Sequence, residues 1–130
     1  MFDLNIRILV VDDSIIMRKV IVKCLHLYGA RNLVEAADGR AAKKIIDRGG
    51  IELVLSDWNM PRMYGIDLLR EVRANAATGK LPFIMISAEA QPHLIAEARA
   101  AKVSYYVIKP FKCETLYSGI VRVMKQAGKT

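Results

Sequence analysis

The sequence predicts an α/β fold: a five-stranded parallel sheet, doubly wound as (βα)5, with helices on both faces. Two observations carry this. Five short runs of apolar residues alternate with five longer stretches in which apolar residues recur at helical spacing. Strict alternation of this kind builds a parallel sheet, because each crossover helix returns the chain to start the next strand in the same direction. With 130 residues, 53% of them hydrophobic and 25% charged, the chain has material for one ordinary globular core. We read it as one domain over residues 1–130, with its core at about 5–127 and no output domain.

The elements follow in order. Ile8-Leu9-Val10-Val11 is apolar on both faces, as a central parallel strand must be. From Ser14 to Tyr28, residues Met17, Val20, Ile21, Cys24, Leu25 and Tyr28 repeat at helical spacing, and Gly29 stops the helix. Leu33-Val34-Glu35-Ala36 is a more polar strand and belongs at a sheet edge. Asp38 caps a helix bearing Ala41, Ala42, Ile45 and Ile46, which Gly49-Gly50 breaks. Leu53-Val54-Leu55 is the third strand, and Ile66 to about Ala74 the third helix, with Leu68, Leu69 and Val72 inward. Phe83-Ile84-Met85-Ile86 is the fourth strand. Pro92 opens a helix running to about Ala101. Tyr105-Tyr106-Val107-Ile108 is the fifth strand. A last helix from about Cys113 to Gln126 buries Leu116, Ile120, Val121 and Met124.

Composition narrows the function classes. Met1-Phe2-Asp3-Leu4 lacks a basic start and a long apolar run, so no signal peptide is expected. No apolar stretch approaches the roughly 20 residues that span a bilayer. We expect a soluble, cytoplasmic monomer without membrane association. Cys24 and Cys113 have no CxxC spacing and are read as two separate buried thiols. His26 and His93 are isolated and carry no metal signature. The net charge of +7 is spread along the chain, densest at Arg18, Lys19 and Lys23 and at Arg40, Lys43, Lys44 and Arg48, which read as solvated helix faces. No nucleic-acid motif accompanies it. GxGxxG and GxxxxGK[ST] are both absent, so the sequence supports neither a dinucleotide nor a nucleotide-triphosphate site.

The chemistry collects at the strand ends. The first strand runs into Asp12-Asp13, the third through Ser56 into Asp57, the fourth into Ser87 and the fifth into Lys109. In a parallel sheet these ends share one edge, the edge at which open α/β folds bind ligands. Three carboxylates there repel one another, which a divalent cation or the Lys109 ammonium relieves. An all-oxygen donor set with a few carboxylates suits Mg²⁺. Metal, ammonium and the Ser87 hydroxyl together can neutralise and position a phosphoryl group, with Asp57 as the carboxylate nucleophile.

Val11-Asp12-Asp13-Ser14, Ser56-Asp57-Trp58-Asn59-Met60-Pro61, Ser87-Ala88-Glu89-Ala90 and Val107-Ile108-Lys109-Pro110-Phe111 resemble, in content and order, the motifs of response-regulator receiver domains. More narrowly, the chain looks like the stand-alone chemotaxis (CheY-like) type, whose fold is flavodoxin-like. The resemblance implies a two-component signalling switch rather than a turnover enzyme. It implies that a histidine kinase phosphorylates Asp57, and that Asp13, Asp57 and the main-chain carbonyl of Asn59 ligate Mg²⁺, with Asp12 assisting through water. Ser87 and Lys109 are then the phosphoryl-binding residues. Lys109-Pro110 is the expected cis peptide bond. Ser87 and Tyr106 are the implied switch pair, and Asn59 and Glu89 are implied to tune hydrolysis, with a phosphoryl lifetime of seconds to minutes.

The implied output surface is formed by the last two helices and the fifth strand. A flagellar motor switch protein is the family precedent for its partner, and a phosphatase is a further possible partner. Lys102, Arg122 and Lys125 make that surface basic, which suits an acidic peptide. A phosphate sink or phosphorelay shuttle without motor binding is the alternative reading. Tyr64, Lys102 and Tyr105 depart from the family pattern: Tyr64 stands where many relatives have an acidic residue, and Lys102 and Tyr105 where small residues or glycine are common.

Overall fold

A computed structural model describes residues 4–128. The elements are β1 (Ile8–Val11), α1 (Ile15–Leu27), β2 (Leu33–Ala36), α2 (Gly39–Asp47), β3 (Leu53–Ser56), α3 (Gly65–Ala74), β4 (Phe83–Ser87), α4 (Pro92–Ala100), β5 (Tyr105–Ile108) and α5 (Cys113–Gln126). All strand pairs are parallel, in the order β2-β1-β3-β4-β5. The more polar β2 is an edge strand, while β1, β3 and β4 are buried along their whole length. This is the five-stranded, flavodoxin-like arrangement that the alternating pattern demands.

The sheet separates two cores. Ile8, Val10, Leu53, Leu55, Ile84 and Ile86 face α1 and α5, where Ile21, Cys24, Leu25, Leu116, Ile120, Val123 and Met124 meet them. Leu9, Val11, Val54, Phe83 and Met85 face α2, α3 and α4. Burying such side chains stabilises by about 1.5–3 kcal/mol each, which is why both faces of the inner strands stay apolar.

Two helix ends are fixed as their sequences require. Ser14 Oγ accepts the Met17 N–H at 3.1 Å, and Asp38 Oδ1 accepts the Ala41 N–H at 2.8 Å. That second bond, helped by Arg62, holds the Asp38 carboxyl below its ordinary range against the opposing effect of burial.

Several sequence expectations need correction. Val20 is 44% exposed, because α1 packs through Ile21, Cys24 and Leu25 and Val20 is rotated about 100° away from that seam. For the same reason α5 buries Leu116, Ile120, Val123 and Met124, and Val121 stays at the rim. Arg18 is not part of a solvated face: its Nη1 donates to the Asp12 carbonyl at 2.7 Å and its Nε to Glu35 Oε1 at 3.1 Å. Cys24 and Cys113 are not separate thiols but a disulfide, with Cα atoms 5.2 Å apart. They stand 89 positions apart in sequence, and only the packing of the first and last helices on one sheet face brings them together.

The departures at Lys102 and Tyr105 have structural accounts. Lys102 has φ 68°, the left-handed conformation that costs a non-glycine residue about 1–2 kcal/mol. It is held there by an N–H bond to the Arg99 carbonyl and by Arg73 Nε, which donates to the Lys102 carbonyl at 2.9 Å. Tyr105 packs its ring against Gly119 of α5, where a Cβ would come within 2.8 Å of it, and the Arg122 guanidinium sits 5.7 Å from the ring centre. The larger aromatic is thus accommodated by a glycine on the facing helix.

Candidate functional site

The sheet register assembles the site. Val11 pairs with Ser56, so Asp12 and Asp57 leave adjacent strands side by side. Ser87 pairs with Ile108, so Lys109 leaves β5 beside the end of β4. Main-chain bonds extend the ladder past the strands: the Asp12 N–H donates to Ala36, that of Asp57 to Val11 and that of Lys109 to Ser87. Each functional side chain is therefore carried by backbone that is itself hydrogen-bonded on a rigid sheet.

The carboxylates of Asp12, Asp13 and Asp57 bring one oxygen each within 4.8 Å of one another. Asp12 is buried, Asp57 half-buried and Asp13 exposed at the rim. Asp12 Oδ1 accepts the Ser14 N–H at 2.9 Å, and its Oδ2 accepts from Lys109 Nζ at 2.9 Å. Lys109 Nζ also lies 3.5 Å from Asp57 Oδ2. Asp57 Oδ1 accepts the Trp58 N–H at 2.7 Å. Burial raises the Asp57 carboxyl above its ordinary value. The Asp12 charge adds to that effect, while Lys109 and the Trp58 N–H oppose it. An all-oxygen set with one strained carboxylate fits a hard divalent cation, whose charge would offset both the repulsion and the desolvation.

Across the mouth, Asn59 Nδ2 donates to Glu89 Oε1 at 2.7 Å, linking the loops that follow β3 and β4. Ser87 is fully buried, and its Oγ accepts the Glu89 N–H at 3.0 Å. The Tyr106 hydroxyl donates to the Glu89 carbonyl at 2.6 Å. Burial raises the Tyr106 hydroxyl pKa, the neighbouring Ser87 hydroxyl opposes this, and the charges of Glu89 and Asp57 add to it. The Lys109–Pro110 peptide bond is cis. Asp12, Asp13, Asp57 and Lys109 thus meet at the strand ends, while Asn59, Ser87 and Tyr106 are joined to one another through Glu89.

Two residues escaped the sequence reading. Arg18 holds the Asp12 carbonyl, and its only sequence trace is a basic residue on the first helix with an acidic one, Glu35, on the edge strand. Gly65, the first residue of α3, donates its N–H to the Trp58 carbonyl at 2.8 Å and packs directly on the Asp57 carbonyl, so that a Cβ there would overlap it. Its sequence trace is only a glycine at the start of a helix.

Residues 8–121 match the family model described as the response regulator receiver domain. The chain is 40% identical over 122 residues to chemotaxis protein CheY-3 of Vibrio cholerae, covering 94% of each chain. It is 42% identical over 120 residues to chemotaxis protein CheY of Pseudomonas aeruginosa, covering 92% of this chain and 97% of that one. Among solved structures, CheY4 of Vibrio cholerae superposes with a TM-score of 0.84 at 32% identity, over 91% of this chain and 98% of that one. The receiver domain of a sensor histidine kinase from Pseudomonas aeruginosa superposes with a TM-score of 0.85 at 28% identity, over 93% of this chain and 98% of that one; a magnesium ion is coordinated in its active-site cleft. Sequence motifs, sheet topology and these likenesses agree: the chain belongs to the response regulator receiver domain family.

Proposed function

We propose that this protein is a chemotaxis-type phospho-acceptor switch in which Asp57 takes a phosphoryl group from a histidine kinase. The observation that carries this is the meeting of Asp57 with Asp12, Asp13 and Lys109 at one strand edge. An Asp57 oxygen attacks phosphorus as the donor's phosphorus–nitrogen bond breaks, and the departing imidazole keeps the electron pair. Asp12, Asp13, Asp57 and the Asn59 main-chain carbonyl are the residues that would hold Mg²⁺, which supplies neutralisation of phosphoryl charge when bound. Lys109 moves its ammonium from Asp12 and Asp57 toward one phosphoryl oxygen, and Ser87 offers its hydroxyl to another. Asn59 and Glu89, joined across the mouth, govern how water reaches the acyl phosphate.

The same hydrogen bonds suggest the readout. Ser87, Glu89 and Tyr106 form one chain of contacts. Drawing the Ser87 hydroxyl toward a phosphoryl oxygen disturbs the loop whose carbonyl holds Tyr106, and the ring settles into a second packing. The surface of α4, β5 and α5 changes with it. Lys102, Arg122 and Lys125 are exposed there, which fits an acidic peptide such as a flagellar motor switch protein would present. On the other side of the pocket the exposed Ile15 and Ile16 give the phosphodonor an apolar contact.

The test is intact-mass analysis after incubation with a small-molecule phosphodonor and Mg²⁺. The wild type gains one phosphoryl group and Asp57→Asn gains none; undiminished labelling of Asp57→Asn sinks the assignment.

A further inference from the structure

We propose that Cys24 and Cys113 form a redox-modification site, a thiol pair that a low-molecular-weight disulfide oxidises to a clamp between α1 and the first turn of α5. The two Cα atoms stand 5.2 Å apart, well inside the range a disulfide bridges without backbone movement. Their surroundings differ in the way thiol–disulfide exchange requires. Cys113 is half-buried, the first residue of a 14-residue helix, and follows the exposed Lys112. Of the two residues it is the one that solvent touches. Cys24 is 4% exposed and lies on the inner side of the pair, among Leu4, Leu25, Tyr28, Leu116 and Tyr117. The accessible sulfur is thus the attacking one and the sheltered sulfur the resolving one.

The step balances with glutathione disulfide as oxidant. The Cys113 thiolate attacks one of its sulfurs and expels one glutathione thiolate, leaving a mixed disulfide. Cys24 loses its proton and attacks the Cys113 sulfur, expelling the second glutathione. The two cysteines are oxidised by two electrons, and the glutathione disulfide is reduced to two thiols.

Position gives the clamp its consequence. Tyr28 and Tyr117 stack across the same seam with ring centres 4.1 Å apart, and Ile21, Leu25, Leu116 and Ile120 share one core, so the helices stay docked when the bond opens. What the bond adds is a fixed point at the start of α5, four residues after Lys109. The helix at its other end carries Arg18, which holds the Asp12 carbonyl. Oxidation therefore fixes the segment that joins the pocket to α5.

The experiment uses the whole chain, equilibrated with excess glutathione disulfide or with dithiothreitol. In the oxidised sample we expect an intact mass lower by two hydrogens, with no glutathione adduct, and in the reduced sample alkylation of both cysteines. The oxidised form should melt higher by on the order of 10 °C, because the bond closes a long loop of the unfolded chain. Amides in the first turn of α5 should exchange about tenfold or more slowly than in the reduced form. Cys24→Ser should retain a stable glutathione adduct at Cys113, and Cys113→Ser should form none at Cys24. A wild type that stays a dithiol in glutathione disulfide overturns the proposal, as does a bond that native protein will not surrender to dithiothreitol, equal adduct formation by the two variants, or unchanged exchange in α5. The wild-type measurements decide the matter even if a variant does not fold.

Discussion

Lys109 Nζ is bonded to Asp12 at 2.9 Å and lies farther, at 3.5 Å, from Asp57. The lysine that a phosphoryl group would recruit thus neutralises the buried acid behind the acceptor, leaving the Asp57 oxygens less firmly held. Asp12 is almost wholly buried, so removing its partner leaves a carboxylate without compensating charge. Breaking such a pair costs about 3–5 kcal/mol when both partners are buried. Lys109 keeps 15% of its side chain in solvent, which places Lys109→Met at the lower end of that range. Urea denaturation without metal should show this loss, and millimolar Mg²⁺ should recover part of it, since a cation in the acidic cluster takes over the neutralisation. A variant as stable as the wild type in metal-free buffer would mean that the pair does not hold the pocket together.

Asp57 gives the pocket a pH dependence of definite sign. Burial, with a contribution from Asp12, raises its folded-state pKa above the ordinary 3.8. A carboxyl raised in this way contributes stability that is present below about 3.8 and is lost as pH rises through the raised folded value. At neutral pH the metal-free protein therefore carries an ionised acid that burial disfavours. Asp57→Asn should stabilise it by about 1 kcal/mol or more, roughly 3 °C in Tm. The difference should shrink as the pH is lowered through the raised folded-state pKa, where wild-type Asp57 takes up its proton. Asp38 has the opposite sign: its lowered pKa contributes stability present above the ordinary carboxyl value and lost as pH falls through the folded one. Comparing wild type and Asp57→Asn across the same pH series cancels that second contribution. A Tm difference that is constant from pH 4 to pH 8 would contradict the desolvation account.

Much of the fold was legible because it rests on short-range regularities. Val54 and Ile84 sit in runs too uniformly apolar for anything but inner parallel strands, and Asp38 announces its helix by capping chemistry. The strand-end groups were legible for a related reason: a parallel sheet delivers Asp12, Asp57, Ser87 and Lys109 to one edge whatever lies between them. What escaped depends on distances that no local pattern encodes. The Cys24–Cys113 bond requires knowing that the first and last helices share a face. Arg18 looks like any exposed helix cation until the edge strand places Glu35 opposite it. Val20 and Val121 are apolar at nearly the right spacing, and a rotation of one residue about the helix axis decides between core and solvent.

Gly65 is the position at which fold and chemistry constrain each other most tightly. Its main chain lies on the Asp57 carbonyl, with the Met85 sulfur 3.1 Å from where a Cβ would stand. The obstruction on the first side is backbone rather than a flexible side-chain tip, so it cannot rotate away. Gly65→Ala must therefore push the start of α3 off the end of β3, or shift Asp57 itself. Overpacking of this kind costs about 1–3 kcal/mol. The two responses separate experimentally. If α3 moves, stability falls while the rate of Asp57 labelling by a small phosphodonor stays near the wild-type value. If Asp57 moves, its alignment with Asp12, Asp13 and Lys109 is lost, and labelling slows by about tenfold or more, since small misplacements of a reacting group are costly in rate. We expect the second response. The obstructing carbonyl is Asp57's own, one residue beyond β3 and on the side away from its N–H bond to Val11, whereas α3 is anchored by the fully buried Leu68, Leu69 and Val72. Stopped-flow Trp58 fluorescence and urea denaturation of Gly65→Ala, read together, distinguish the two, and a variant unaltered in both would show that the contact with the Asp57 carbonyl does not constrain the site.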